Sequence, residues 1–579
     1  MKYFKKVTHR VTQWAIYSIL LLGGAISVTF SQGIDTPDPV PPLGQGEETL
    51  IGEKMDDKAI KQLADSFVDR AEAAYTKDCT VPDGFLGWLK ENPKLRATFW
   101  AALAPDDDDI EKAMAVLNEL RKTDAKAVDR YYQLAVAFAV VWDDPEAVEK
   151  SSRSCIGKVP KGQFGALPNF IDNFKYFTNP KNQAWFNFSP DKLAWPLLVH
   201  IADMDLSQEE IDWGIKNYQN KRLLIGTFYD DMEYDKGKAA GNVQPKLGFG
   251  RYNLMNLLKC GGICGDQAHF ASRLAKIFGT PGMKVSGEGR SGGLHAWVGY
   301  IEKRKDKPEL VFAGRFFTDF YYTGEVFNPQ TKTRILDREL SMLYEGVNLD
   351  YNKFANSVIL TRMAQGLAEN QPGLSANLAA NALQQNWFYP PAWSVLVKHS
   401  ENSALEASKS AAWFDQMLTR LKKHPDIIMR CWAGFIKCIP KDARQKRDLY
   451  YQTVTQILKA ERRPDLLIVL ALIQGDELSE RGQESPALNL YLESAQTYAG
   501  ESTLILPLLE RAIELTGKLN KVKDTIPAYE RILQKIPPFR AAEISEAYQR
   551  AAKMLIGLYE VAGMKDKADK LRKTAKLKE

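Results

Sequence analysis

One stretch constrains the fold of this 579-residue chain more than any other: residues 260–300, CGGICGDQAHFASRLAKIFGTPGMKVSGEGRSGGLHAWVGY. Gly261 and Gly262 stand ahead of Cys264, and helix-forming sequence begins at once. Ala268, Ala271, Leu274, Ala275 and Phe278 recur at helical spacing and give one apolar face. Gly279 stops that helix and Pro281 keeps it from resuming. Met283 to Gly287 has the length of a strand. A glycine-rich loop, Glu288 to Gly293, then leads into a second one, in which His295, Trp297, Gly299 and Ile301 alternate with Ala296, Val298 and Tyr300. Glu302 to Pro308 is a charged turn, and Leu310 to Phe312 a returning strand.

This order of loop, cysteine, helix, strand and histidine suits a thiolate nucleophile. Only the thiolate attacks a carbonyl, and an ordinary cysteine, with a pKa of about 8.5, is mostly protonated at neutral pH. The exposed N–H groups of a helix N-terminus favour the anion, and a nearby imidazole can hold the proton. Glycines before the cysteine let the chain turn sharply and let a substrate backbone come close. Singly, a cysteine is usually an inert buried side chain and a histidine before Ala-Trp usually a core residue. Their combination in this order makes Cys264 and His295 candidates for catalysis.

Four pieces carry a family resemblance: Gly261-Gly262-Ile263-Cys264-Gly265-Asp266-Gln267-Ala268, the Gly279-Thr280-Pro281 turn, His295-Ala296-Trp297-Val298, and Asn328-Pro329. Together they resemble the transglutaminase-like superfamily of papain-fold cysteine enzymes, over about a fifth to a quarter of the chain. The resemblance implies an α+β, papain-like transglutaminase core in which a small antiparallel sheet carries the cysteine helix. It implies that Cys264 is the nucleophile, His295 the base and Asn328 the residue that orients the imidazole. The family places an aspartate before the proline, and this chain has Asn328 there. Asparagine can accept a hydrogen bond from the ring and fix its tautomer, as in Cys-His-Asn sites, but it cannot stabilise an imidazolium by charge. Asp319 is the reserve candidate for that role.

The flanks read differently. Lys2, Lys5, Lys6 and Arg10 precede an apolar run from Trp14 to Phe30, so residues 1–33 are expected to be a cleaved signal peptide, with an uncleaved membrane anchor as the rival. If the source is bacterial, either places the body outside the inner membrane: periplasmic, secreted, or anchored to that membrane's outer side. Residues 34–55 read as a proline-rich linker. Residues 56–206 are expected to be a helical region, with stripes at Ile60, Leu63, Phe67 and Ala71 and again from Ile110. Asp106 to Asp109 lack the spaced ligands of a calcium loop and read as a helix start. Residues 150–200, rich in Phe, Trp, Asn and Pro, read as irregular connections. The expected core, 207–340, opens on a Ser207–Glu210 capping box, with a strand expected at Leu223 to Tyr229. Residues 341–579 read as a helical, repeat-like domain whose helix pairs weakly resemble tetratricopeptide repeats.

Composition narrows the function classes. A net charge of +5 on this length, with no basic-aromatic patch, gives no ground for nucleic-acid binding. Six cysteines do not make a disulfide framework for so long a chain. Cys431 and Cys438 on one helix would stand about 10 Å apart, too far to bridge. Cys260 and Cys264 are close enough to pair if the loop allows, which would silence the nucleophile. A zinc site from Cys260, Cys264 and His269 lacks a fourth ligand, and no metal or cofactor is expected. The sequence therefore reads as an exported cysteine enzyme performing acyl transfer or hydrolysis at an amide of a protein or peptide substrate: a protease, amidase or transglutaminase. The alternative is a catalytically silent core used as a scaffold, with the C-terminal helices binding a protein partner. A membrane contact is expected only through an uncleaved N-terminal anchor.

Overall fold

The computed structural model describes residues 42–153, 163–240, 246–248, 250–304, 307–315, 320–540 and 543–577. The expected signal peptide or anchor, the linker up to residue 41, Cys155 and Asp319 lie outside the described residues. The rest is an α+β fold with a helical majority around one small antiparallel sheet. Its strands are β1 (Gly282–Glu288), β2 (Leu294–Arg304), β3 (Lys307–Ala313), β4 (Glu325–Phe327) and β5 (Arg334–Leu336), in the order β3-β2-β1-β4-β5. Register pairs Gly287 with His295, Val285 with Trp297 and Val326, and Val298 with Ala313.

The helix Cys264–Ile277 packs on β1 and β2 because its apolar face, Ala268, Ala271, Leu274 and Ala275, is wholly buried. Its close approach needs glycine at Gly282, where a Cβ would stand 2.6 Å from Ser272 O and 2.9 Å from Ala275 Cβ. Gly279 ends the run with φ +63°, and a Cβ there would enter the ring of Phe186. Two buried pairs tie the helix to the chain after Trp195–Ala202: Lys276 to Asp203, and Arg273 to Asp205. Burial brings Lys276 down to about 8 against the pull of Asp203.

Several expectations meet a different local structure. Leu223 to Tyr229 is not a strand: Ile225–Thr227 forms a 3-10 turn and Phe228–Asp231 a helical one. Leu223 and Leu224 stay exposed there while Phe228 and Tyr229 turn into the core. Among the described residues of 150–200, Asn169, Asn179, Pro180 and Pro196 stand at helix starts instead of breaking helices. Asn169 Oδ1 accepts from Ile171 N at 2.8 Å ahead of Phe170–Thr178, and Pro196 opens Trp195–Ala202. The linker's last residues are docked, with Ile51 and Met55 buried and Met55 N donating to Asn381 Oδ1 at 2.8 Å. Asp109 caps the helix Ile110–Arg130, and the Ser207–Glu210 box is formed in both directions.

The C-terminal helices run from Asp337–Leu349 to Lys565–Thr574, broken once by a two-residue ladder pairing Phe539 with Ile544. The core that holds the sheet continues into these helices as far as Leu470, and a second core spans Ile468 to Ala575. Arg463 sits near that junction, its guanidinium forked onto Asp426 and Asp465, with Nη2 at 2.7 Å from Asp426 Oδ1. Burial works against the Asp426 carboxylate, yet Arg463 holds it below the ordinary range.

Arg463→Met should therefore destabilise the protein by about 3–5 kcal/mol, the cost of leaving a buried carboxylate without its partner. Urea denaturation at pH 7 measures this, and Asp426→Asn in the same chain should recover much of the loss. Because the folded-state pKa of Asp426 is depressed, the pair's contribution is present above the unfolded pKa and is lost as pH falls through the folded one. The gap between wild type and Arg463→Met should accordingly close in acid.

Candidate functional site

The loop before the cysteine helix is built by two close approaches. The helix Leu254–Cys260 ends at Gly261, φ +75°, where a Cβ would lie 2.6 Å from Glu233 O. Gly262 N donates to Glu233 O at 3.0 Å and Asp235 N donates to Gly262 O at 2.7 Å, pinning the turn to a neighbouring segment. A Cβ on Gly262 would run into Asp266 at 2.5 Å. Asp266, wholly buried in the first turn, accepts from Ile263 N at 2.8 Å and Lys238 Nζ at 2.7 Å through Oδ2, and from Tyr252 OH at 2.8 Å through Oδ1. Cys264 is thereby held half-buried at the first helical position, where backbone N–H groups have no intrahelical acceptor.

His295 enters from the start of β2, half-buried beside exposed Leu294. Its Nε2 lies 2.7 Å from Gly314 O. A carbonyl only accepts, so Nε2 carries the hydrogen, and in the neutral ring Nδ1 is left with a free lone pair. Burial lowers the His295 pKa below its ordinary value despite the hydrogen bond to Gly314, so the ring is neutral at pH 7. The ring centroids of Tyr321, Trp297 and Tyr229 stand at 5.0, 6.0 and 6.5 Å from it.

Tyr229 connects the two candidates. Its OH donates to Ala296 O at 2.8 Å, and its ring fills the space that a Cβ on Gly314 (φ +77°) would need. Burial raises the pKa of both Tyr229 and Tyr234, and an ionised Cys264 would raise each further, so both phenols lie within electrostatic reach of the sulfur. Among the described residues the Cys264 sulfur and the imidazole are not hydrogen-bonded to each other. Cys260 and Cys264 are both free thiols. His269, the third member of the zinc alternative, is buried beside Tyr252, 5.3 Å between rings, and burial brings its pKa down to about 3. No group of three or more His, Cys, Asp or Glu side chains is arranged to hold a metal among the described residues.

Asn328 is not brought to the imidazole. His295 faces Gly287, and Gly287 lies against Gly324, whose Cα would be 3.3 Å from a Cβ there. Asn328 is four residues beyond Gly324, at the end of β4, the strand two removed from β2. At ~3.3 Å per residue and ~4.8 Å per strand, the two residues are roughly 16 Å apart. Its Oδ1 accepts from Gln330 N at 3.0 Å and Thr331 N at 3.5 Å, shaping the β4–β5 turn. That turn grips the N-terminal helices: Gln330 Nε2 donates to Ala102 O and to Asp108, and Lys332 lies 3.6 Å from Asp143. Asn-Pro is a turn signal in its own right, which is the use made of it here.

The groups absent from the sequence reading are Tyr229, Tyr234 and the Gly314 carbonyl. A backbone carbonyl leaves no trace in residue identity, and Tyr229 sat in a segment read as a strand. Asp266 did carry a signal, an acid three residues past the N-cap position.

Asn328→Ala should cost about 1 kcal/mol of stability through the lost turn hydrogen bonds. It should leave the titration of His295 unmoved, which NMR of histidine-labelled protein reads directly.

Compared with protein-family models, with curated proteins and with solved structures, the chain matches none.

Proposed function

We propose that this chain is an exported cysteine enzyme of transglutaminase-like type, with a papain-like core that transfers or hydrolyses an acyl group at an amide. Cys264 is the nucleophile and His295 the base. The thiol proton passes to His295 Nδ1 as sulfur attacks the amide carbonyl. The oxyanion that forms is met by first-turn N–H groups, Cys264's own among them. His295 returns the proton to the leaving amine, and the thioester is resolved by water or by a second amine. The observation that carries this reading is the hydrogen bond from His295 Nε2 to Gly314 O, which leaves Nδ1 basic in a ring kept neutral by burial. Gly314 O takes the orienting role that the resemblance gave to Asn328. Residues 1–33 supply export or an anchor, and no described helix is long and apolar enough to cross a membrane. The C-terminal helices offer a surface for a protein partner.

A second reading, the catalytically silent scaffold, draws on the missing hydrogen bond between sulfur and imidazole. It also draws on the neutral acceptor, since a carbonyl stabilises an imidazolium less than a carboxylate does.

Brief iodoacetamide labelling across a pH series separates the two. On the enzyme reading Cys264 is modified near pH ~6, well ahead of Cys79, Cys431 and Cys438. Burial raises the pKa of Cys79 and Cys438 and pushes that of Cys431 up to about 12. The His295→Ala variant should lose the low-pH labelling, and a p-nitrophenyl acyl ester should leave its acyl group on the Cys264 peptide. A Cys264 that stays unmodified until about pH 9, with no change in His295→Ala, leaves the scaffold standing.

A further inference from the structure

We propose that Arg315 is a positioning residue for His295: it fixes both the carbonyl that sets the ring's tautomer and the aromatic ring that lies beside it. The inference rests on His295 being the base of the site proposed above.

The acceptor of the His295 hydrogen bond, Gly314 O, belongs to the planar peptide unit that ends at Arg315 N. Fixing Arg315 therefore restrains that carbonyl. The Arg315 side chain is 4% exposed and all three arms of its fork are engaged. Nε donates to Tyr321 O at 2.8 Å, Nη2 donates to Tyr322 O at 2.6 Å, and Nη1 lies 2.9 Å from Asp337 Oδ2. Its guanidinium carbon also stands 5.1 Å from the centre of the Trp297 ring and 5.2 Å from that of Phe312. Tyr321, whose backbone Arg315 holds, has its ring centroid 5.0 Å from that of the imidazole, the shortest such distance among the described residues. Burial lowers the Arg315 pKa to about 10, which leaves it cationic at neutral pH.

The far end of the fork is anchored as well. Asp337, with no exposed surface, accepts from Gly324 N at 3.0 Å, and its own N donates to Gly324 O at 2.8 Å. Gly324 in turn lies against Gly287, the register partner of His295. One guanidinium thus joins the imidazole's acceptor, its aromatic neighbour Tyr321 and its row of the sheet. Lysine keeps the charge but cannot reach two carbonyls and a carboxylate with one nitrogen.

The test compares the full-length wild type with Arg315→Lys and Asp337→Asn. The second change keeps an acceptor for Gly324 N and removes the buried negative charge. Circular dichroism and tryptophan fluorescence first establish that each variant is folded. The histidine nitrogens are then followed by NMR in histidine-labelled protein, with His295 assigned from a His295→Gln sample. Titrations are read against Tyr229 and Tyr321, whose rings lie beside the imidazole, and against the proposed nucleophile Cys264 and the charge of Arg315. Wild type should hold a single Nε2–H tautomer at neutral pH, and the variants should populate the Nδ1–H form. Alkylation of Cys264 at pH ~6.5 should fall roughly tenfold, while at pH ~9, where thiolate forms unaided, it should change less than about twofold. A purely structural role would lower stability and leave the tautomer and the ratio of the two rates alone. Two folded variants that keep both wild-type values overturn the proposal. Wild-type Cys264 with no excess reactivity, but a tautomer that shifts in both variants, supports the positioning role and removes the catalytic reading instead.

Discussion

The site depends first on the Asp266 carboxylate. Three donors from three places in the chain converge on it: Ile263 N from the loop, Lys238 from the short helix Lys236–Ala240 and Tyr252 from before the cysteine loop. A buried carboxylate without such donors would be costly, so the loop can take only conformations that supply them. Ile263 has no side-chain acceptor of its own, and Asp266 provides the cap from inside the helix. Cys264 lies between the two, and its place at the helix start follows from that capping.

Buried ion pairs continue the same logic outward. Arg273–Asp205 and Lys276–Asp203 fasten the cysteine helix to the N-terminal helices. Arg315–Asp337 fastens the end of β3 to the helix Asp337–Leu349, and Arg463–Asp426 joins helices further along the chain. Such pairs add little net stability over apolar packing, but breaking one is expensive, so they select one arrangement among several that would bury similar area. Tyr322 carries the connection into the second core. Its OH donates to Glu501 at 2.7 Å, while Thr503 Oγ1 donates to Arg290 O in the β1–β2 loop at 3.0 Å. The loop that precedes His295 is therefore held from the C-terminal helices, more than 200 residues away in sequence.

What a residue pattern reveals, and what it hides, follows from where the partner comes from. The cysteine helix, its glycine stop and the strands either side of the glycine-rich loop were legible because local periodicity and turn chemistry set them. Asn328-Pro329 was legible only through the family resemblance, as the residue that orients the imidazole, whereas in the structure Asn328 Oδ1 accepts from Gln330 N and Thr331 N within a turn; one residue type serves both uses. Leu223 to Tyr229 looked like a strand because its apolar run is short. The chain turns there because Gly226 passes so close to Tyr300 that a Cβ would lie 2.7 Å from its OH, and Phe228 and Tyr229 must face inward.

The sequence by itself determined an α+β chain with a cysteine at a helix start, a histidine at a strand start and helices on both flanks. These are consequences of spacing within a dozen or so residues. The tertiary structure alone decided which groups surround the histidine. Strand register sets Asn328 four residues along and two strands across from His295, and the turn after β3 brings Gly314 O to Nε2. Register is a relation between distant segments, and a carbonyl is common to every residue; neither is written in the identity of any one side chain.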